Sequence, residues 1–282
     1  MLLRNQTISN LNLSMCGVTA EGCLYIGESL IQNQSLVSLD LTANRFGSTG
    51  INNLFKEDGS LGCLETLILS RNAIGNDSSN SFCRQLRLNK TIRCIDLSNN
   101  NLSKSFLENL YASLQEGAKL NKLSLSKNKF GPESADILQL IIRDFPSITY
   151  LDLSYNNFKD EGLILIAKGL KQNTTMTTID LSETGMTDKS GIEFAEVISL
   201  HPSIQKLYLS ENSLTDVSGI EIATSLCQNR TLVVLSLSNN ELRDDSAYYF
   251  LDALNKNSTI AEINVDFNDF GPDSYVDLSK KI

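Results

Sequence analysis

The stretch Tyr150–Phe158, YLDLSYNNF, decides how this chain folds. It returns as SLDLTANRF at Ser38–Phe46 and as VLSLSNNEL at Val234–Leu242. Leu151 and Leu153 alternate with polar neighbours, which is the period-2 pattern of a strand. An asparagine follows three residues later, at Asn156. Written as L-x-x-L-x-L-x-x-N, the template starts at Ile8, Leu36, Leu64, Ile92, Leu120, Ile148, Met176, Ile204, Leu232 and Ile260. Every interval is 28 residues, and ten units run without an insertion.

Each column of the repeat has a physical task. The asparagine column reads Cys16, Asn44, Asn72, Asn100, Asn128, Asn156, Thr184, Asn212, Asn240, Asn268. A side-chain amide both donates and accepts, so stacked asparagines can satisfy backbone groups where each coil leaves its strand. In the second half of each unit the period changes. Apolar residues such as Leu138 and Ile142, or Ile166 and Leu170, stand four apart and share one helix face. A small residue precedes them in most units, from Gly22 to Ser274, as a close-packed helix start. Phe106 and Asp58 break these columns, so irregular helices are expected in the second and fourth units. One strand plus one helix cannot bury its own apolar face, so neighbouring units must stack. Strands repeat at about 4.8 Å and helices at about 10 Å, which bends such a stack with its strands inside.

This pattern resembles the ribonuclease-inhibitor type of leucine-rich repeat, with a full helix in every unit. Relatives of that type include ribonuclease inhibitor, the repeat regions of NOD-like receptors, Ran GTPase-activating proteins and leucine-rich subunits of ciliary complexes. The resemblance implies an α/β leucine-rich repeat solenoid, a horseshoe of ten 28-residue strand–helix repeats with a parallel concave sheet and convex helices. It covers residues 1–282 as a single domain, read as incomplete at both ends because neither end carries a polar cap. Either a longer solenoid continues the stack or a neighbouring protein covers it. The fold is shared by inhibitors, sensors and scaffolds, so it implies a binding surface rather than a ligand.

Bulk properties narrow the class. The sequence is 41% hydrophobic and 20% charged, ordinary for a folded domain. Its formal net charge of −9 argues against nucleic acid as the main partner. Six cysteines are scattered with no paired spacing, which suggests a reducing, cytoplasmic compartment. No apolar run is long enough to insert in a membrane, and the first ten residues lack a signal-peptide core. The ciliary relatives extend the cytoplasmic expectation to a ciliary or cytoskeletal setting.

Catalytic chemistry is not expected. His201 is the single histidine, in LHPSI between a helix and a strand, and is read as an exposed turn residue. No glycine-rich phosphate loop or metal-ligand cluster is present, and no cofactor is implied. DFNDFGPDS at Asp266–Ser274 imitates a calcium loop, but Asp277 stands where the pattern wants glutamate. The N-x-S/T sites, such as Asn33, Asn173 and Asn229, follow from the repeat and are read as unused.

Function is then sought on the strand residues that point away from the core. Asp and Ser are the default filling there, so departures carry the information. Units six to eight bring Tyr150, Asp152, Tyr155, Asp180, Glu183, Lys206, Tyr208 and Glu211 to adjacent strands. Tyrosines among acids have the composition of an interface centre. Units three to five offer Ile68, Arg71, Lys122 and Lys127 instead. The expected function is a non-enzymatic interaction scaffold or sensor module that binds a basic protein partner on the concave face, as part of a larger assembly. The alternative, from the Ran-type relatives, is a GTPase-activating regulator of a small GTPase. Those relatives carry an acidic tail after the repeats, whereas this chain ends DLSKKI.

Overall fold

The computed structural model describes residues 2–281. The chain divides into two compact units, Met1–Lys129 and Phe130–Ile282. The first contains β1 (Asn10–Asn12), α1 (Ala20–Gln32), β2 (Ser38–Asp40), α2 (Gly47–Leu54), β3 (Thr66–Ile68), α3 (Ser79–Leu88), β4 (Cys94–Asp96), α4 (Lys104–Gln115) and β5 (Lys122–Ser124). The second contains α5 (Ala135–Asp144), β6 (Tyr150–Asp152), α6 (Lys159–Gln172), β7 (Thr178–Asp180), α7 (Asp188–Leu200), β8 (Lys206–Tyr208), α8 (Asp216–Leu226), β9 (Val234–Ser236), α9 (Asp244–Lys256), β10 (Glu262–Asn264) and α10 (Pro272–Ser279). Within each unit consecutive strands pair in parallel with the register of the 28-residue repeat, as in Leu39↔Leu67 and Leu151↔Ile179.

Register follows from burial. The strand centres Leu39, Leu67, Ile95, Leu151, Ile179, Leu207 and Leu235 are buried under the helices. A one-residue slip would turn every one of them to solvent. Leu54, Phe82, Leu110, Leu138, Ile166, Phe194, Ile222 and Phe250 meet them from the helix side. Ile282, which completes the second helix column, lies outside the described residues.

The asparagine column forms the expected ladder. Asn72 is 0% exposed. It donates to the carbonyls of Leu41 and Leu69, both at 2.9 Å, and its Oδ1 accepts from the amides of Asn44 and Arg45. Asn100 repeats this toward Leu69, Leu97 and the Asn72 amide. The Thr184 hydroxyl keeps the bond to the Leu181 carbonyl, at 2.7 Å.

The residue before each rung has a positive φ, through all ten repeats from Met15 (54°) to Phe267 (56°). None of these residues is glycine. The left-handed turn keeps the amide aimed at the next repeat: Arg71 N reaches Ser98 O, and Tyr155 N reaches Ser182 O. The strain of roughly 1 kcal/mol at such a residue is thus offset by the ladder that follows it.

A second ladder links the helix starts. Asp160 accepts from the amide and hydroxyl of Thr187 and from the hydroxyl of Ser190. Asp188 does the same for Thr215 and Ser218. Asp216 continues to the amides of Arg243 and Ser246. Each aspartate caps the helix of the following repeat, where amides are unpaired and the dipole favours negative charge. In the first unit Asn76 takes this place, accepting from the Ser103 amide and donating to the Ser103 hydroxyl. This explains the small-residue column: Ser190 and Ser218 are buried cap partners.

Three expectations need correction or qualification. The second repeat's helix, α2, is short, ending at Leu54, and Asp58 is exposed in the irregular turn that follows. Gln85 fastens that turn by donating to the Glu57 carbonyl at 2.9 Å. The fourth repeat's helix, α4, in contrast, is a regular 12 residues. Phe106 is buried and lies 5.8 Å from Phe82, which itself lies 5.6 Å from Phe55, so a row of rings fills the space small residues leave elsewhere.

His201 is 4% exposed rather than an open turn residue. It occupies the column of Asn173 and Asn229, and its Nδ1 accepts from the amides of Ser203 and Ile204 as Asn173 Oδ1 does from Thr175 and Met176. Asn33, Asn173 and Asn229 are likewise buried, with amide groups committed to backbone carbonyls.

Candidate functional site

The second unit presents the tyrosine-and-acid set on the sheet face opposite its helices. On β6 and β7 the strand residues facing away from the core are Tyr150 and Asp152, then Thr178 and Asp180; on β8 they are Lys206 and Tyr208. Register aligns Asp152, Asp180 and Tyr208 in one row, and Tyr150, Thr178 and Lys206 in another. Tyr155, Glu183 and Glu211 form a third row, at the left-handed position just past the strands.

One bond spans that third row. The Tyr155 hydroxyl donates to Glu211 Oε1 at 2.6 Å, across the repeat that carries Glu183. Losing the phenolic proton there would place two negative charges together. The Glu211 hydrogen bond, then burial and the charges of Glu211, Glu183 and Asp180, push Tyr155 up to about 12. Asp180 is held above the usual carboxylate range, first by burial, with Asp152 and Glu211 adding to it. Tyr208 is raised by burial and by the charges of Glu262 and Asp180. These effects tie Tyr155, Tyr208, Asp152, Asp180, Glu183 and Glu211 into one electrostatic neighbourhood. Tyr150 and Lys206 share a row with it, on the two strands flanking β7.

The aspartates also have a local task. Asp152 Oδ1 accepts from the Ser154 amide at 3.1 Å, and Asp180 Oδ1 from the Ser182 amide at 2.9 Å. Asp40 and Asp96 do the same in the first unit. Their recurrence therefore reports turn chemistry as well as surface charge. Tyr208 stands in that column without this task.

Glu262 belongs to the neighbourhood and was not among the expected residues. It lies in register with Val234 and so in the row of Tyr150 and Lys206. Extending that column by two repeats would have found it. In the first unit Arg71, Lys122 and Lys127 are exposed and Ile68 is half-buried.

No group of histidine, cysteine, aspartate or glutamate among the described residues could hold a metal ion. No described helix is long and apolar enough to cross a membrane.

Comparison with known proteins agrees with the architecture. The Leucine Rich repeat family LRR_6 matches residues 4–27, 32–55, 146–167, 172–195 and 228–251, and a second Leucine Rich Repeat family, LRR_1, matches residues 91–112. No curated protein matches. Among solved structures, an internalin (inlF) from Listeria monocytogenes is 17% identical, with TM-score 0.52, over 89% of this chain and 74% of its own. The leucine-rich repeat domain of APL1B is 17% identical, with TM-score 0.51, over 93% of this chain and 65% of its own. A TLR13–ssRNA13 complex is 18% identical, with TM-score 0.54, over 96% of this chain and 37% of its own. These likenesses concern the fold. With ten repeats in register, asparagine rungs in both units and repeat families matching in each, the chain is a leucine-rich repeat protein.

Proposed function

We propose that this chain is a non-enzymatic interaction module whose β6–β8 face binds a basic segment of a protein partner within a larger assembly. Leucine-rich repeats commonly mediate protein–protein interaction. The observation that carries the finer reading is the Tyr155–Glu211 bond beside Asp180, Glu183 and Tyr208. Tyrosine supplies large contact area at low entropic cost, and a fixed phenol loses little freedom on binding. Four carboxylates around it, Asp152, Asp180, Glu183 and Glu211, favour an arginine- or lysine-bearing partner. Tyr150 and Lys206 form the edge of the same patch. A reducing, cytoplasmic setting goes with this reading and draws support from six unpaired thiols.

The test is titration of a labelled arginine-rich peptide into the protein at increasing salt. The reading expects binding that weakens with salt and falls about tenfold when Glu183 and Glu211 are both made glutamine. Equal binding by the variant would refute it. A GTP-hydrolysis assay over a panel of small GTPases separates the GTPase-activating alternative: stimulation by catalytic amounts would establish that alternative and remove the non-enzymatic reading.

A further inference from the structure

The first unit carries a groove of about 470 Å³ at the exits of its strands, lined by Ala43, Arg45, Arg71, Ala73, Asn99 and Asn101, with Met15 at its side. Its walls have an unusual backbone. In three successive repeats the residues on both sides of the rung asparagine have positive φ: Ala43 and Arg45 (57° and 60°), Arg71 and Ala73 (60° and 55°), Asn99 and Asn101 (55° and 61°). The first and seventh repeats also double the turn, but with glycine at the second position (Gly17 and Gly185), whereas in these three repeats every such position carries a side chain. Asn44, Asn72 and Asn100 lock these turns by hydrogen bonds to backbone on both sides. The groove is therefore built on a rigid frame.

Its charge is the opposite of the molecule's. The chain carries a formal −9, yet the lining contains two arginines and no acid. Among the described residues neither Arg45 nor Arg71 makes an ion pair, and both side chains are exposed. Guanidinium groups suit planar carboxylates, which they bind through two parallel hydrogen bonds. Asn99 and Asn101 add amide donors, while Ala43, Ala73 and Met15 add apolar contact. No aromatic ring lines the groove, so there is no platform for stacking nucleic-acid bases.

We infer that this groove is a second docking surface, and that it takes an acidic peptide segment of a protein partner, one glutamate or aspartate at Arg45 and one at Arg71, with a small apolar residue against Ala43 and Ala73. The inference does not rest on the tyrosine face. The molecule then offers two contacts of opposite polarity, one in each unit.

The experiment is fluorescence anisotropy of a labelled peptide alternating glutamate with alanine and leucine, titrated with the intact protein. Saturable binding is expected, tighter than about 1 mM and weakening with salt. Arg45→Glu with Arg71→Glu weakens it about tenfold or more, while the double lysine variant retains most of it. Both positions are exposed, and Arg45→Gln with Arg71→Gln serves as a milder second pair whose melting temperature is checked first. Replacing Tyr150, Tyr155 and Tyr208 by alanine leaves the acidic peptide bound, which keeps this result separate from the tyrosine face. No binding at 1 mM or below, about the weakest specific affinity worth assigning, would overturn the inference. So would equal binding by the charge-reversed variant, or tighter arginine-dependent binding of a polyuridine strand.

Discussion

Tyr155 and Glu211 lie two repeats apart in sequence and 2.6 Å apart through a phenol–carboxylate hydrogen bond. Both sit at left-handed backbone positions, φ 55° each, where the chain leaves its strand. The bond carries the charge of the acidic face onto an aromatic ring. It also makes a first prediction direct. Tyr155 titrates near 12, and Glu211→Gln should return it toward the ordinary value of about 10. The raised value means that the folded state holds this proton more tightly than the unfolded chain. Its contribution to stability is complete below pH 10 and disappears as pH rises through about 12. Ultraviolet titration of tyrosinate absorbance, wild type against variant, checks it; an unchanged curve would show that the bond does not form in solution.

The asparagine ladder should be expensive to break. Asn72→Ala removes a buried amide and leaves the Asn44 and Arg45 amides without their acceptor, while the Leu41 and Leu69 carbonyls keep one donor each, from Asn44 and Asn100. A loss of about 3 kcal/mol is expected in urea unfolding, since unsatisfied buried groups cost about 1–3 kcal/mol each. A loss below about 1 kcal/mol would mean that water replaces the rung.

The aspartate ladder sets an acid limit. Burial pushes Asp188 up, but hydrogen bonds from Ser218 and Thr215 outweigh it and hold the carboxyl below its usual range. Asp160 behaves alike through Ser190 and Thr187. A lowered folded value means stability that is complete above about pH 4 and is lost as pH falls below it. Asp188→Ala should cost about 1–2 kcal/mol at neutral pH, as cap removals do, and should flatten the acid limb of a melting profile.

His201 gives a separate window. Burial lowers it to about 4. The unfolded chain protonates near 6.5, so stability is full above 6.5 and falls with pH down to about 4. Its Nε2 is buried without a hydrogen bond, where the equivalent Asn173 donates to the Ile142 carbonyl at 2.7 Å. His201→Asn should therefore stabilise the protein by about 1 kcal/mol and remove the fall between pH 6.5 and 4. Thermal melts across that range decide it.

Periodicity made the strands, the asparagine rungs and most helix faces readable, because each repeats its chemistry every 28 residues. Asp160, Asp188, Asp216 and Asp244 recur with the same spacing, yet their capping role is not evident from a column of charges alone. Each caps the next repeat's helix and not its own. His201 misleads because histidine is usually exposed; its column, filled elsewhere by Asn173 and Asn229, is the better guide. Phe106 looked like a helix defect only because ring-on-ring packing with Phe82 cannot be read from one column. The tyrosine-and-acid rows were readable as columns. The Tyr155–Glu211 bond was not, since it depends on rotamers reaching over Glu183. The left-handed column carries no glycine to announce it.

Whether the β6–β8 face holds the partner is read from partner capture by intact protein beside an equally stable Tyr150→Ala, Tyr155→Ala, Tyr208→Ala variant. A basic partner is expected to be retained by the wild type, released by salt and lost from the variant. A partner held equally by both proteins would contradict it and move the contact off the tyrosine face.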